Sequence, residues 1–140
     1  MDAVAIATSA LDVEWRRVEI TAQNLANLNT THTANGEVYR PLHLSSGPMP
    51  GFQSLLDAQG VTLSPRGVAV TAVEPDANGL RRAFEPNNPD ADADGFVTYP
   101  NIDNAAEMTT LIRASRAYEA NLAAISIAVG MYGKAMEIGR

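Results

Sequence analysis

Between Val4 and Leu25 the apolar and small positions fall at Val4, Thr8, Leu11, Trp15, Val18, Ala22 and Leu25, spaced 4, 3, 4, 3, 4, 3. That is a heptad seam over three repeats, with Asp12, Glu14, Arg16, Arg17 and Glu19 mostly off it, and it predicts an amphipathic α-helix. Ile6, Ala10, Val13 and Ile20 make a second, weaker stripe on another face. A helix that is apolar on two faces needs two neighbours. About 25 residues at ~1.5 Å each would make it on the order of 38 Å long.

The other end of the chain repeats the pattern. Met108, Leu111, Ser115, Tyr118, Leu122, Ile125, Val129, Tyr132 and Met136 are spaced 3, 4, 3, 4, 3, 4, 3, 4. Pro100 precedes this run, and Asn104 with Glu107 has the spacing of an N-terminal capping box. Beside the seam lie Ala114, Ala117, Ala120, Ala124 and Ala128, small enough to permit a short interaxial distance. Gly130 and Gly133 fall inside the pattern at a cost of about 1 kcal/mol each against alanine. Either they admit a close neighbour or the last turns are loose.

The middle alternates with period two instead. Asn35-Gly36 signals a tight turn, after which Val38, Arg40, Leu42 and Leu44 alternate in part as an extended segment. "SGPMPG" reads as a loop, and "GVAVTAV", Gly67 to Val73, as the clearest strand. "ANGLRRAF" predicts a turn into another strand and "GFVTYP" a short further one. The expected fold is therefore mainly α. Long N- and C-terminal helices pack as a coiled-coil-like pair, residues 1–30 and 101–140 forming one discontinuous helical domain. Residues 31–100 form a small β-rich, loop-rich insert of two or three strands.

The first helix ends oddly. "QNLANLNTTHT" carries Asn24, Asn27 and Asn29 through a run of leucines, although asparagine competes for backbone hydrogen bonds and is a poor interior helix former. The amides either cap exposed carbonyls and bridge to a neighbour, or only terminate the helix, with Asn29 left-handed.

Composition narrows the function. In 140 residues, 46% are hydrophobic and 19% charged, which is long and apolar enough for one folded domain with its own core. The net charge of −6 is carried mostly by residues 31–100, and no segment holds a basic patch, which argues against nucleic acid and anionic membrane as partners. There is no cysteine, so disulfides and thiolate metal sites are excluded. Asp2 stands where a secretory signal carries basic residues, so no cleavable signal is expected. The longest uncharged run, Ala120 to Gly133, is too short to span a bilayer, so no membrane insertion is expected.

Candidate chemistry is sparse. Asp90, Asp92, Asp94 and Gly95 match the first half of an EF-hand calcium loop, but Asn101 stands where the bidentate glutamate belongs and flanking helices are missing. His32 and His43 have no metal-ligand spacing and read as surface or turn residues. Arg81 and Arg82 are adjacent in a predicted strand and so point to opposite faces. Trp15, on the seam, reads as core. No nucleophile elbow, phosphate loop or dinucleotide fingerprint exists. The sequence supports neither an enzyme nor a cofactor.

The two ends together carry a resemblance. "ALDVEWRRVEITAQNLANLNTT" resembles the N-terminal signature of bacterial flagellar rod and hook axial proteins. "GFVTYPNIDNAAEMTTLIRASRAYEANLAAISIAVGMYGKAMEIGR" resembles the C-terminal helix of the flagellar basal-body rod proteins, and "PNNPDADADGFVTYPN" resembles their turn, which accounts for the acidic run without calcium. The chain departs at "TANGEVYRP", where a "TP-x-GG-x-Y" segment is usual, and residues 45–66 match nothing recognisable. Its length suits a proximal-rod member better than a longer distal-rod or hook protein.

The resemblance implies a non-catalytic subunit of the proximal rod in the periplasmic basal body. Such a subunit is exported through the flagellar type III apparatus without cleavage and stacks helically with copies of itself and other rod subunits. Adaptor proteins of the MS ring and export gate are the implied partners at the rod base. The implied assembly interface comprises Leu11, Trp15, Val18, Ala22, Asn24, Leu25 and Asn27 on the first helix. On the second it comprises Met108, Leu111, Tyr118, Asn121, Leu122, Ile125, Val129, Tyr132 and Met136. Asn24 and Asn27 could there set helix register, since a polar group beside an apolar seam penalises slipped states. A free monomer is expected to hold its ends loosely and to order them on assembly.

Overall fold

The computed structural model describes residues 2–49 and 67–139. Pro50 and Gly51 of the expected loop, and the unmatched residues up to 66, lie outside that set. Six elements follow in order: α1 (Asp2–Ala26), β1 (Leu42–Pro48), β2 (Val68–Pro75), β3 (Leu80–Phe84), β4 (Phe96–Pro100) and α2 (Asn104–Ile138). Two terminal helices thus bracket two small antiparallel sheets, β1–β2 and β3–β4.

α1 has the two neighbours its two apolar faces require, packing on α2 and on β1 and β2. The division of labour differs from the sequence reading. The deeply buried positions are Val13, Ile20, Thr21 and Asn24, so the weaker stripe supplies the core. Of the heptad seam, Val4, Leu11, Val18 and Leu25 are half-buried, whereas Thr8, Trp15 and Ala22 are exposed. Trp15, expected in the core, is 60% exposed. A two-helix contact covers only one of the two seam positions per heptad, and the other faces solvent.

α1 closes on Asn27, whose Nδ2 donates to the Gln23 carbonyl at 2.9 Å while its Oδ1 accepts from Thr30 Oγ1 at 3.1 Å. The expected left-handed Asn29 is not found, because among the described residues only glycines have positive φ. The chain leaves the helix through short turns instead, Leu28 N donating to the Leu25 carbonyl at 3.4 Å and Thr30 N to the Asn27 carbonyl at 3.1 Å. The Asn35-Gly36 turn is present, with Gly36 at φ 79° and Thr33 N donating to the Glu37 carbonyl at 2.8 Å.

β1 starts later and runs further than expected, because Ser46, Gly47 and Pro48 pair with Val70, Ala69 and Val68 after a register shift at Ser45/Ser46. Val68 N donates to Ser9 Oγ at 3.1 Å, which fixes the start of β2 against α1. Gly67, at φ 128°, precedes it so closely that a Cβ there would overlap Ser9 Oγ. β3 and β4 hold a regular register from Leu80↔Pro100 to Phe84↔Phe96. Among the described residues the chain therefore forms four strands in two pairs, where two or three were expected.

The turn between β2 and β3 ties together the start of β1 and the end of β4. Asp76 N donates to the Pro41 carbonyl at 2.8 Å, and Asn101 N donates to the Gly79 carbonyl at 2.9 Å. An added Cβ on Gly79 would lie 2.6 Å from Pro41 Cδ, so only glycine lets the turn sit this close.

α2 is capped one residue earlier than the sequence suggested. Asp103, not Asn104, is the N-cap, its carboxylate accepting from Ala105 N at 2.9 Å and Ala106 N at 3.2 Å. Glu107 is then one position too far along to close a capping box, and its carboxylate turns to α1 instead. α2 runs unbroken through Gly130 and Gly133, and among the described residues no group outside the helix's own backbone lies where a Cβ on either would meet it.

A candidate assembly surface

Asn24 is 1% exposed, and its amide uses all four of its hydrogen-bonding positions. Oδ1 accepts from Leu42 N and from Tyr39 Oη, each at 2.9 Å, while Nδ2 donates to the Leu42 carbonyl at 3.0 Å and to Glu107 Oε1 at 3.3 Å. The side chain thus pairs with both backbone groups of Leu42 as a neighbouring strand would, and starts β1 at the end of α1. Burial, with the Glu107 carboxylate behind it, raises the Tyr39 pKa, so the phenol stays a donor. Asn24, which the sequence offers as a cap, a bridge to a neighbour or a helix terminator, faces inward in the folded chain, where four polar groups converge on it.

The contacts Asn24–Glu107 and Trp15–Tyr118, the latter with ring centroids 5.9 Å apart, run in opposite directions along the two helices and make them antiparallel. At 25 against 35 residues, α2 is longer by about 15 Å. The excess lies at its C-terminal end, where every residue from Met131 to Gly139 is exposed. Leu111, Tyr118, Asn121 and Ile125 are half-buried. Met108, Leu122, Val129, Tyr132 and Met136 are exposed. Sequence reasoning missed Ile112, Ile127, Met131 and Ile138, all exposed, since they fall off the heptad spacing that guided it.

The acidic loop does structural work. Asp92 Oδ1 accepts from Asp94 N at 3.0 Å and Phe96 N at 2.9 Å, and its Oδ2 pairs with Arg82. These donors, the Phe96 amide first, lower the Asp92 pKa. Asp90 turns away to Thr31 Oγ1 at 2.6 Å and His32 Nε2 at 3.4 Å. Among the described residues no three acidic or histidine side chains converge to hold a metal. His43 pairs with Asp76 at 3.4 Å, and both histidines are exposed turn or strand residues as expected. Arg81 lies 4.9 Å over Tyr99 and Arg82 4.7 Å over Phe96, on opposite faces of β3. A cleft of about 270 Å³ beside Asn24 is lined by Arg17, His43 and Glu107, and Arg17 is already held by Glu14 and Ser46. No described helix is long and apolar enough to cross a membrane.

What distinguishes the molecule is its exposed apolar helical surface. A family model described as flagellar basal body rod FlgEFG protein C-terminal matches residues 93–138, which cover β4 and nearly all of α2. Over 96% of its length the chain is similar to the flagellar basal-body rod protein FlgC of Bacillus subtilis (strain 168), at 36% identity and 95% of that protein's length. It is 33% identical to the FlgC of Salmonella typhimurium (strain LT2), over 96% of this chain and 94% of the relative. With the FlgC of Borreliella burgdorferi it shares 31% identity, over 96% and 94% respectively. Similarity of this extent, from end to end and across distant bacteria, shows that the chain belongs to the flagellar basal-body rod protein FlgC family.

Proposed function

We propose that this chain is a structural, non-catalytic subunit of the flagellar basal-body rod, in its proximal segment. There it self-assembles with other rod subunits into the tube that transmits torque and encloses the export channel. The observation that carries this reading is the half-covered heptad seam. Trp15, Leu122 and Val129 lie exposed on helices whose spacing is built for helical neighbours. In this reading residues 1–30 and 101–140 form the assembly domain, packing coiled-coil-like with neighbours, and residues 31–100 form an outward insert. Export through the flagellar type III apparatus without cleavage, and contact with MS-ring and export-gate adaptors at the rod base, complete the reading.

Deleting the gene in its host and inspecting basal bodies by electron microscopy, with a motility assay, tests it. The expected result is an inner-membrane ring without rod, hook or filament. Intact hooks and filaments in the deletion strain would overturn the assignment.

A further inference from the structure

The exposed apolar surface has two distinct parts. The first is a groove along the outer side of the helix pair, between Thr8, Trp15 and Ala22 on α1 and Met108, Ser115 and Leu122 on α2; all but the half-buried Ser115 are exposed. It is the side of the seam that the pair leaves open, and it spans about 21 Å along either helix. The second is a stripe on the C-terminal end of α2 that runs onto the overhang. Ile127, Met131 and Ile138 are 66%, 67% and 87% exposed, and their spacing of 4 and 7 places them on one face. That face is separate from the one Leu111, Tyr118 and Ile125 turn toward α1. The stripe is about 17 Å long, so it fits within the groove.

We propose that the Ile127–Met131–Ile138 stripe of one copy seats in the α1/α2 groove of a second copy. This rests on the rod-subunit reading and adds to it which surfaces meet. Three observations favour a second copy as the occupant. The lengths match. Lys134 on the overhang lies beside the stripe, while exposed Asp12 and Glu119 rim the groove and Glu19 is already paired with Arg16, so the unpaired charges are complementary. Gly130 and Gly133 leave the backbone near the overhang open to close approach, with no described group beyond the helix's own backbone within 4 Å of a Cβ built at either. Peg and groove are different surfaces of one chain, so the contact is head-to-tail and repeats into an open helix instead of closing as a dimer.

The chain has no cysteine, so cysteine cross-linking reads the contact without background. Ser115→Cys marks the middle of the groove and Ala135→Cys the flank of the stripe. Both single variants would be co-expressed in a host lacking its own copy, then oxidised. Disulfide-linked dimer is expected when both variants are present and several-fold less with either alone. Lys134→Glu in the Ala135→Cys chain should lower the yield several-fold. Motile cells whose dimers come only from one variant with itself, or whose cysteines link only to other proteins or to nothing, would overturn the proposal and leave the rod reading standing. Should Ser115→Cys stop motility, Glu119→Cys on the groove rim replaces it. If the deletion strain keeps its rod, the rod reading fails on its own, and mixing the two purified variants at high concentration still decides the contact.

Discussion

Asn24 holds Leu42 by both its backbone groups, at 2.9 Å from the amide nitrogen and 3.0 Å to the carbonyl. One buried side chain thereby ties α1 to the start of β1 and, through Glu107, to the first turn of α2. Replacing it strands several polar partners at once, because leucine at this position neither donates nor accepts. Asn24→Leu should cost about 2–4 kcal/mol, set by buried polar groups left without partners. Asn27→Ala, at a half-buried helix end with two hydrogen bonds, should cost about 1 kcal/mol. Urea unfolding followed by circular dichroism ranks the two. Equal losses would mean that the Asn24 network contributes no more than an ordinary helix end.

The N-cap gives a sharper local test. Asp103 accepts from two amides of the first turn of α2, whereas Asn104 is already helical. Asp103→Ala should therefore lose about 1 kcal/mol, and Asn104→Ala should be near neutral. Thermal melts of the two variants decide which residue caps. A larger loss at Asn104 would restore the box with Glu107 that sequence spacing favours.

These two asparagine-rich and acidic helix ends also show what the sequence could and could not yield. Spacing identified both helices, the turn at Gly36 and the strands at Val68, Leu80 and Phe96, because each rests on a local period or a glycine with positive φ. It misjudged Trp15, since a heptad seam states that two positions want cover without saying which receives it within one chain. Asn24 was invisible as a core residue, because its burial depends on partners 15 to 83 positions away. Ser46–Pro48 looked like loop because Gly and Pro are strand-poor, yet the edge position of β1 tolerates both. Of the assembly surface, the seam half was legible. The overhang stripe was not, because it becomes visible only when α2 is seen to outrun α1.

Backbone strain sets another prediction. Gly67 sits at φ 128°, and a methyl group there would collide with the Ser9 side chain that accepts from Val68 N. Gly67→Ala should cost about 1–3 kcal/mol from the conformation, with the clash added. Because Ser9 joins α1 to β2, the loss should appear in the same cooperative unfolding transition as the helices. A melt indistinguishable from the parent would show that β2 starts without that close approach.

The insert should be sensitive to acid. Amide and arginine donors lower the pKa of Asp92, backbone Asn78 and then His43 and Arg40 lower that of Asp76, and Asn88 and Tyr99 lower that of Glu85. A carboxylate whose folded pKa is depressed binds protons less readily folded than unfolded. Its stabilisation is thus fully present above the unfolded value, near pH 4, and disappears as pH falls through the folded value. Denaturation midpoints should hold from pH 7 to about 5 and fall below about 4. Asp92→Asn should flatten part of that fall. An unchanged acid limb in Asp92→Asn would remove this carboxylate from the pH dependence.

Trp15 is the chain's one tryptophan and is 60% exposed, stacked at an angle of 48° on Tyr118. It therefore reports directly on whether the open side of the seam becomes covered. In dilute protein its emission should lie toward the red, as for a wet indole. On assembly it should shift to shorter wavelength as the groove loses water. Trp15→Ala removes a large apolar anchor that the monomer covers only in part, so monomer stability should fall by about 1–2 kcal/mol. The loss in assembly should be far greater, since buried aromatic anchors dominate interfaces. The comparison needs two measurements on the same variant: unfolding of the purified chain, and swimming of cells that carry it as their sole copy. Near-parent stability with lost motility places the work of Trp15 between subunits. Parent-like swimming would show that this side of the helix pair stays wet in the rod.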